Sequence, residues 1–430
     1  MEKSNKKILF SAHTIRDVKL YLSLTKFSAF DHTLLTFRLS SYLFARINGI
    51  KAKTMFHIPL IASIIPTFRN IKNTNFDIDT KFYSSLKIKK NYFKKSFYLY
   101  NRYIDKNIEH TSLDIVFLTG ESRINEQALL GIIPKSKILF WEAGPKGQIY
   151  FSKFGVNANA GFSRDELSLS YKFNSLCIAS DKKLKTNDSM NFYFKAIELI
   201  YIFLIRSVFM NKEMNEVLPN QVGDYYRLVN KSLIPKSNLF DSKKEISSIE
   251  CQDEYILFID QVEFDVNNTH FGSNIENTIE KVNNLISILK IKKPNIKLIR
   301  RAHPRQLKTK ISENLSKKFN ALFINSSKGS LDEAINGASF ILTVNSTGGL
   351  DSLLLGRPVY LLGKSYYQDL YGVIDEKDLK PYLEGKIVFE RELVIKEAHS
   401  FISKNFVPID FRGGNFKYFS RFDNFLANLS

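Results

Sequence analysis

The stretch TVNSTGGLD, residues 343–351, indicates the fold class of the chain. It follows an apolar run at 340–344 that is typical of a buried strand, and it leads into an apolar segment at 350–355 with helical character. Small hydroxyl residues and glycines between a strand and a helix predict a βα unit. The helix start would present unpaired N–H groups to an anion, and the glycines would let it approach the backbone. Ordinary helix capping explains the same residues equally well.

Strands and helices alternate on both sides of this stretch. The expected strands span residues 7–12, 114–118, 137–141, 255–259, 296–300, 321–324 and 359–362. The expected helices begin near residue 14 and span 124–130, 275–290 and 330–337. This alternation predicts an α/β protein with parallel sheets and right-handed crossovers.

The chain is long enough for two domains. Its 430 residues exceed what one ordinary hydrophobic core holds. A polar stretch at 232–250 is the expected linker, so we assign an N-terminal domain to 1–240 and a C-terminal domain to 241–430. The last helix is expected to cross back to the N-terminal domain.

Composition limits the partners and the compartment. The net charge of +19 favours an acidic partner: nucleic acid, anionic lipid or a phosphorylated substrate. No RNA-binding motif is present, so nucleic acid is not expected. Two cysteines and no apolar leader favour the cytoplasm. The apolar stretch at 192–210 contains Lys195, Glu198 and Arg206, which favours a buried helix over a membrane span, with an interfacial helix as the alternative.

A second polar motif, His303-Pro304, follows the expected strand at 296–300, beside Arg300 and Arg301. A histidine and two arginines at a strand end suit a phosphate or diphosphate. A lone histidine is more often structural. His303-Pro304 and the stretch at 343–351 together predict a phosphate site at neighbouring strand ends.

Four segments resemble the capsule polysaccharide synthesis family, whose characterised members are β-Kdo transferases that use CMP-Kdo. They are RAHP at 301–304, TVNSTGGLDSLLLGRPVYLLGKSYY at 343–367, IDQVEFD at 259–265 and FWEAGPKGQIYFSKFGVNANAGF at 140–162. The resemblance implies a GT-B architecture, with two Rossmann-like domains and an interdomain cleft. It makes the N-terminal domain the acceptor domain and the C-terminal domain the nucleotide-sugar domain.

The resemblance also implies roles for particular residues. Asp265 is the expected catalytic carboxylate, and Glu142 is its expected acid or base across the cleft, with Asp260 and Glu263 as rivals to Asp265. The residues expected to bind the nucleotide are His303, Pro304, Arg301, Asn345, Ser346, Thr347 and Gly348. The residues expected to bind substrate are Gln261, Gly144 and Asn157. No metal or cofactor is expected, and the CMP-sugar is a co-substrate.

The sequence leaves the substrates open. Ala143 and the loop at 145–150, which carries Pro-Lys-Gly-Gln, depart from the family's pattern, so the resemblance does not specify the acceptor or the donor sugar. The expected partners are a nucleotide-sugar donor and an anionic saccharide or glycolipid acceptor, with peripheral contact to the anionic inner face of the bacterial inner membrane left open. Rival functions are transfer of sialic or another nonulosonic acid from a CMP donor, and CDP-polyol phosphate transfer. A basic protein that binds nucleic acid or membrane without turnover is the rival from another class.

Overall fold

The computed structural model describes residues 6–58, 61, 90–121, 123–162, 168–209, 254–261, 275–303, 309–319, 322–325, 329–411 and 416–429. The chain forms two compact units. Unit 1 is Met1–Tyr226 with Lys404–Ser430, and unit 2 is Arg227–Ser403. The C-terminal segment therefore returns to unit 1. The predicted linker at 232–250 and the predicted boundary between 240 and 241 lie outside the described residues.

Unit 1 contains a six-stranded sheet in the order β3-β2-β1-β4-β5-β6. Its strands are β1 (Lys7–Ala12), β2 (Asp31–Thr36), β3 (Ala52–Thr54), β4 (Ile115–Leu118), β5 (Ile138–Ala143) and β6 (Ile149–Ser152). All neighbours pair in parallel except β5 and β6, which are antiparallel. A separate antiparallel pair joins β7 (Ile178–Lys183) to β14 (Lys417–Ser420) from the C-terminal segment.

Unit 2 repeats this strand order. Its sheet runs β10-β9-β8-β11-β12-β13, and every neighbouring pair is parallel. The strands are β8 (Tyr255–Ile259), β9 (Lys297–Arg301), β10 (Phe323–Asn325), β11 (Phe340–Thr343), β12 (Val359–Leu361) and β13 (Val373–Ile374). Every residue of β8 and of β11 is buried, as expected for central strands of a parallel sheet covered on both faces.

The described helices connect and cover these strands. They are α1 (Ile15–Thr25), α2 (Leu39–Ile47), α3 (Lys90–Asn107), α4 (Ile124–Ile132), α5 (Leu169–Leu176), α6 (Asn191–Phe209), α7 (Ile275–Lys292), α8 (Lys310–Phe319), α9 (Leu331–Gly337), α10 (Thr347–Leu354), α11 (Glu376–Leu383), α12 (Arg391–Asn405) and α13 (Phe422–Ala427). The predicted α/β class and the two Rossmann-like units of the GT-B class are thus confirmed.

Helix α6 differs from its prediction. One face of its first half is exposed, because Phe192 and Tyr193 are 77% and 57% exposed and Ile197 and Ile200 are exposed as well, whereas Phe194 is buried. Its buried Glu198 accepts a hydrogen bond from the Ser40 N–H, 3.1 Å away, at the start of α2. One charge that interrupts the apolar run therefore anchors the helix at a positive helix end. Within the described residues, no helix combines the length and apolarity needed to span a membrane.

Candidate functional site

Three polar side chains follow three neighbouring strands of unit 2 in register. Ile259 of β8 pairs with Arg301 of β9 and with Thr343 of β11. Gln261, His303 and Asn345 each lie two residues beyond one of those paired positions. β8 also lies between β9 and β11, and the chain order reverses between β8 and β11. Ligands of open α/β sheets bind at the carboxyl ends of strands beside such a reversal.

Gln261 and Asn345 join the ends of β8 and β11. The Gln261 Nε2 donates to the Asn345 Oδ1 at 3.0 Å, and the Asn345 backbone N–H donates to the Gln261 Oε1 at 2.8 Å. The Asn345 Nδ2 donates to the Lys364 carbonyl at 3.2 Å. Both side chains are buried. These contacts fix the loop that leads into α10.

The start of α10 is capped by Ser346. Its Oγ accepts a hydrogen bond from the Gly348 N–H at 3.1 Å, and its carbonyl accepts one from the Gly349 N–H at 2.9 Å. A helix start of this kind carries a partial positive charge. Ser346 and Thr347 are both half-buried, so this end of the helix is accessible to a ligand.

The two glycines lie inside α10, whereas the sequence predicted them in the turn before a helix starting at 350. A Cβ on Gly349 would come within 2.2 Å of the buried Tyr367 hydroxyl, which donates to the Ser346 carbonyl. A Cβ on Gly348 would meet Ile259 atoms at 3.3 Å. Gly349 is therefore required by packing beneath the capped turn.

Arg300 does not contribute to a phosphate site, contrary to the prediction that both arginines converge there. It is buried and its guanidinium contacts Asp260, with Nε–Oδ2 and Nη2–Oδ2 distances of 2.8 and 2.6 Å. The Thr309 hydroxyl donates to the same carboxylate. Burial raises the pKa of Asp260, while Arg300 and Thr309 act in the opposite direction. Asp260, a rival for the catalytic role, is thus held in a buried ion pair.

The remaining predicted residues of unit 2 are only partly described. His303 is half-buried, and Arg301 donates from Nη2 to the Gly329 carbonyl at 2.7 Å. Asp265, its rival Glu263 and Pro304 lie outside the described residues.

In unit 1, Tyr150 connects two of the predicted residues. Its hydroxyl donates to the Glu142 carboxylate at 2.9 Å and accepts from the Asn157 N–H at 2.8 Å. Glu142 pairs with Tyr150 across the antiparallel β5–β6 ladder. Sequence analysis missed Tyr150, although pairing the strands around the Gly-Pro-Lys-Gly turn would have placed it opposite Glu142.

The third predicted residue of unit 1, Gly144, lies against the returning C-terminal segment. A Cβ there would come within 2.3 Å of the Phe406 ring, and the Gly144 N–H donates to the Gln148 carbonyl at 2.7 Å. The Phe406 ring also packs on the Tyr150 ring, with centroids 5.6 Å apart. Gly144 thus allows Phe406 to support Tyr150.

A second buried polar cluster lies where the chain order of unit 1 reverses, between β1 and β4. The His13 Nε2 is 3.0 Å from the Glu126 Oε1, and Thr119 Oγ1 and Arg123 Nη1 donate to the same oxygen at 2.7 and 3.0 Å. Burial lowers the pKa of His13. Burial would raise the pKa of Glu126, but Arg123 and the hydrogen bonds outweigh it and hold the pKa at about 2. The sequence signals for this cluster were a histidine directly after the first strand and a glutamate at the third position of α4, where it forms a capping box.

The described residues contain no group of three or more His, Cys, Asp or Glu side chains that could hold a metal ion.

These features define a protein of two Rossmann-like units, with polar residues at the strand reversal of each. Residues 206–405 match the model of a family described as capsule polysaccharide biosynthesis protein. The matched part of the chain includes Gln261, His303 and the start of α10. The resemblance stated from the sequence is confirmed, and a role in capsule polysaccharide biosynthesis is supported.

Solved structures with similar chain traces include two of Thermosulfurimonas dismutans KpsC. The β-Kdo 2,4 transferase is 14% identical over 74% of this chain and 88% of its own, with a TM-score of 0.34. The β-Kdo 2,7 transferase is 12% identical over 70% and 80%, with a TM-score of 0.32. A putative UDP-N-acetylglucosamine 2-epimerase from Listeria monocytogenes is 13% identical over 99% and 95%, also with a TM-score of 0.32. No curated protein sequence matches this chain.

Proposed function

We propose that this chain is a glycosyltransferase that moves an acidic sugar, Kdo foremost, from a CMP-linked donor to a capsule, lipopolysaccharide or lipid-linked saccharide acceptor. The observation that carries the proposal is the capped start of α10, held beside the strand reversal of unit 2 by Gln261 and Asn345. The family match over residues 206–405 supports it.

The start of α10 would receive the CMP phosphate. Because Ser346 takes up the Gly348 and Gly349 N–H groups, Thr347 supplies the N–H and hydroxyl that the phosphate meets. The Ser346 oxygen accepts from Gly348, which leaves its own proton to donate to the phosphate. His303 and Arg301, from β9 two strands away from β11 in the sheet, add donors.

The chemical step follows a double displacement in this proposal. The Asp265 carboxylate forms a bond to the anomeric carbon as the bond from that carbon to the CMP phosphate oxygen breaks. The acceptor hydroxyl then displaces Asp265 and gives its proton to Glu142. The Tyr150 hydroxyl, 2.9 Å from the Glu142 carboxylate, holds that carboxylate in one orientation. The donor is a co-substrate, and the proposal needs no metal.

Peripheral contact with an anionic membrane is part of the proposal. Tyr193, Ile197 and Ile200 lie at helical spacing on α6 and are all exposed. The net charge of +19 would attract anionic headgroups. The expected binding to anionic vesicles weakens as salt is raised, because exposed charges are screened.

The donor assay separates this function from its rivals. The full chain is incubated with CMP-Kdo, CMP-sialic acid or CDP-glycerol and an anionic glycan acceptor. Release of CMP and a Kdo-bearing product is expected from the first donor only. Turnover of CMP-sialic acid would move the assignment to a nonulosonic acid, and a phosphate-containing product from CDP-glycerol would indicate polyol-phosphate transfer. If no donor reacts and CMP leaves the melting temperature unchanged, a binding protein without turnover is favoured.

A further inference from the structure

A cavity of about 290 Å³ opens at the opposite edge of the unit 2 sheet from the candidate nucleotide site. Its lining includes Glu254, which precedes β8, and Phe340, which begins β11. Gln261 and Asn345 follow the other ends of the same strands. Helix α10 begins at the candidate nucleotide site and ends at this cavity, and its eight residues span about 12 Å.

Two arginines face this cavity. The Arg357 Nη2 donates to the Asn336 carbonyl, and its Nε is buried with no hydrogen-bond partner among the described residues. Burial and the nearby Arg391 together lower the pKa of Arg357. Within the part of the chain that the structure describes, neither arginine forms an ion pair. Two guanidinium groups thus share one cavity without a compensating charge of their own.

The one acidic residue in the cavity lining, Glu254, already has partners within the protein. Glu254 pairs with Lys293, and the Ser339 hydroxyl donates to its Oε1 at 3.0 Å. Burial raises the pKa of Glu254, but Lys293 and Ser339 outweigh it and hold the pKa below its ordinary value. Glu254 is therefore ionised and satisfied, and the side chains that line the cavity carry a surplus of two positive charges.

The end of α10 brings the arginines together. Gly356 has φ +75°, and its N–H and that of Arg357 close the last turn onto the Leu353 and Ser352 carbonyls at 2.9 Å each. A Cβ on Gly356 would lie 2.4 Å from the Arg391 Cγ. Glycine is thus needed for the left-handed turn and for the close approach of Arg391, the first residue of α12.

We propose that this arginine cavity is a second anion site, which binds the phosphate of a small organic phosphate ester between Arg357 and Arg391. A phosphate dianion would match the two uncompensated charges and give the Arg357 Nε an acceptor. The organic part would lie against Tyr382 and Phe389, whose rings are 5.8 Å apart and line the same cavity. A volume of about 290 Å³ suits a compact ligand rather than a polymer.

The probe for this site is phenyl phosphate, titrated calorimetrically into the full chain. Arg391→Gln tests the exposed arginine, and Lys396→Gln is its control because it removes one exposed positive charge from the same helix. Ser346→Ala reports on binding at the start of α10 instead. We expect Arg391→Gln to weaken binding at least tenfold, about 1.4 kcal/mol, with Lys396→Gln unchanged. Benzyl alcohol, which lacks the phosphate, is expected not to bind.

Three results would overturn the proposal: no phenyl phosphate binding at millimolar concentration, equal losses in Arg391→Gln and Lys396→Gln, or loss of binding in Ser346→Ala alone. Arg357→Gln provides a second reading, with its melting temperature measured alongside because Arg357 also bonds Asn336. A folded Arg357→Gln variant with wild-type affinity would equally count against the site. If phenyl phosphate does not bind at the arginine cavity, the donor assay still tests the proposed function, because the donor site lies at the other end of the strands.

Discussion

Replacing Ser346 with alanine separates a helix cap from a phosphate ligand, because the chain contains a matched cap in the same unit. Ser330 caps α9 by accepting from the Glu333 N–H at 3.1 Å, the distance at which Ser346 accepts from the Gly348 N–H. Loss of a serine cap destabilises a protein by about 1 kcal/mol. Ser346→Ala and Ser330→Ala should therefore lose similar free energies of unfolding, measured by urea denaturation without ligand.

The two variants should differ in CMP binding. A hydrogen bond to a charged group contributes about 1.5–3 kcal/mol, so loss of the Ser346 hydroxyl should weaken the affinity for CMP about 10- to 100-fold. Ser330 lies at the start of another helix and touches no predicted ligand, so its variant should bind CMP as the wild type does. Calorimetric titration of CMP into each protein measures the difference.

Three outcomes would refute this reasoning. If Ser346→Ala and Ser330→Ala bind CMP with wild-type affinity, Ser346 is a cap and nothing more. If both weaken equally, the loss reflects stability and not contact with phosphate. A wild-type chain that does not bind CMP removes the basis for placing a CMP-sugar at α10.

Three further predictions concern stability. Gly349→Ala should destabilise the chain by about 1–3 kcal/mol in urea denaturation, since the new Cβ would lie 2.2 Å from the Tyr367 hydroxyl. Gly348→Ala, whose Cβ would have its nearest contacts at 3.3 Å, should be close to neutral. Tyr150→Phe leaves the buried Asn157 N–H unpaired and should lower the free energy of unfolding by about 1–3 kcal/mol. Tyr360→Phe removes a buried hydroxyl that has no partner among the described residues, so it should lower it little. Equal losses in the two variants would contradict this reasoning. Because folding lowers the pKa of Glu126 from 4.5 to about 2, its contribution is complete above pH 4.5 and is lost as the pH falls toward 2. We expect the free energy of unfolding of the wild-type chain to fall by about 2 kcal/mol by pH 3, and that of Glu126→Gln to fall by less. Identical pH profiles of the two proteins would disprove the low pKa assigned to Glu126.

The elements that the sequence predicted best are those buried on both faces. β8 occupies the predicted residues 255–259, because a central parallel strand appears as an uninterrupted apolar run. α9 begins at Leu331 after the Ser330 cap, within one residue of its prediction, because the serine and Glu333 form a recognisable capping box. Local chemistry was sufficient in both cases.

The errors arose where a distant residue decides the local structure. α10 begins at Thr347, three residues before its predicted start, and Gly349 packs on Tyr367, which lies beyond the next strand. Nothing near the glycines in sequence indicates that tyrosine. The error over Arg300 was avoidable, since neighbouring residues of a strand point to opposite faces and could not both approach one phosphate.

The two units share one strand order, so topology alone does not say which of them holds a nucleotide. The charges at the two strand reversals favour unit 2 as the unit that binds the nucleotide. At the reversal in unit 2, the neutral amides of Gln261 and Asn345 lie beside the positive start of α10. At the reversal in unit 1, the buried carboxylates of Asp17 and Glu126 act on a single guanidinium, that of Arg123, and the surplus negative charge disfavours an incoming phosphate. This difference supports our assignment of the CMP-linked donor to unit 2 and of the saccharide acceptor to unit 1.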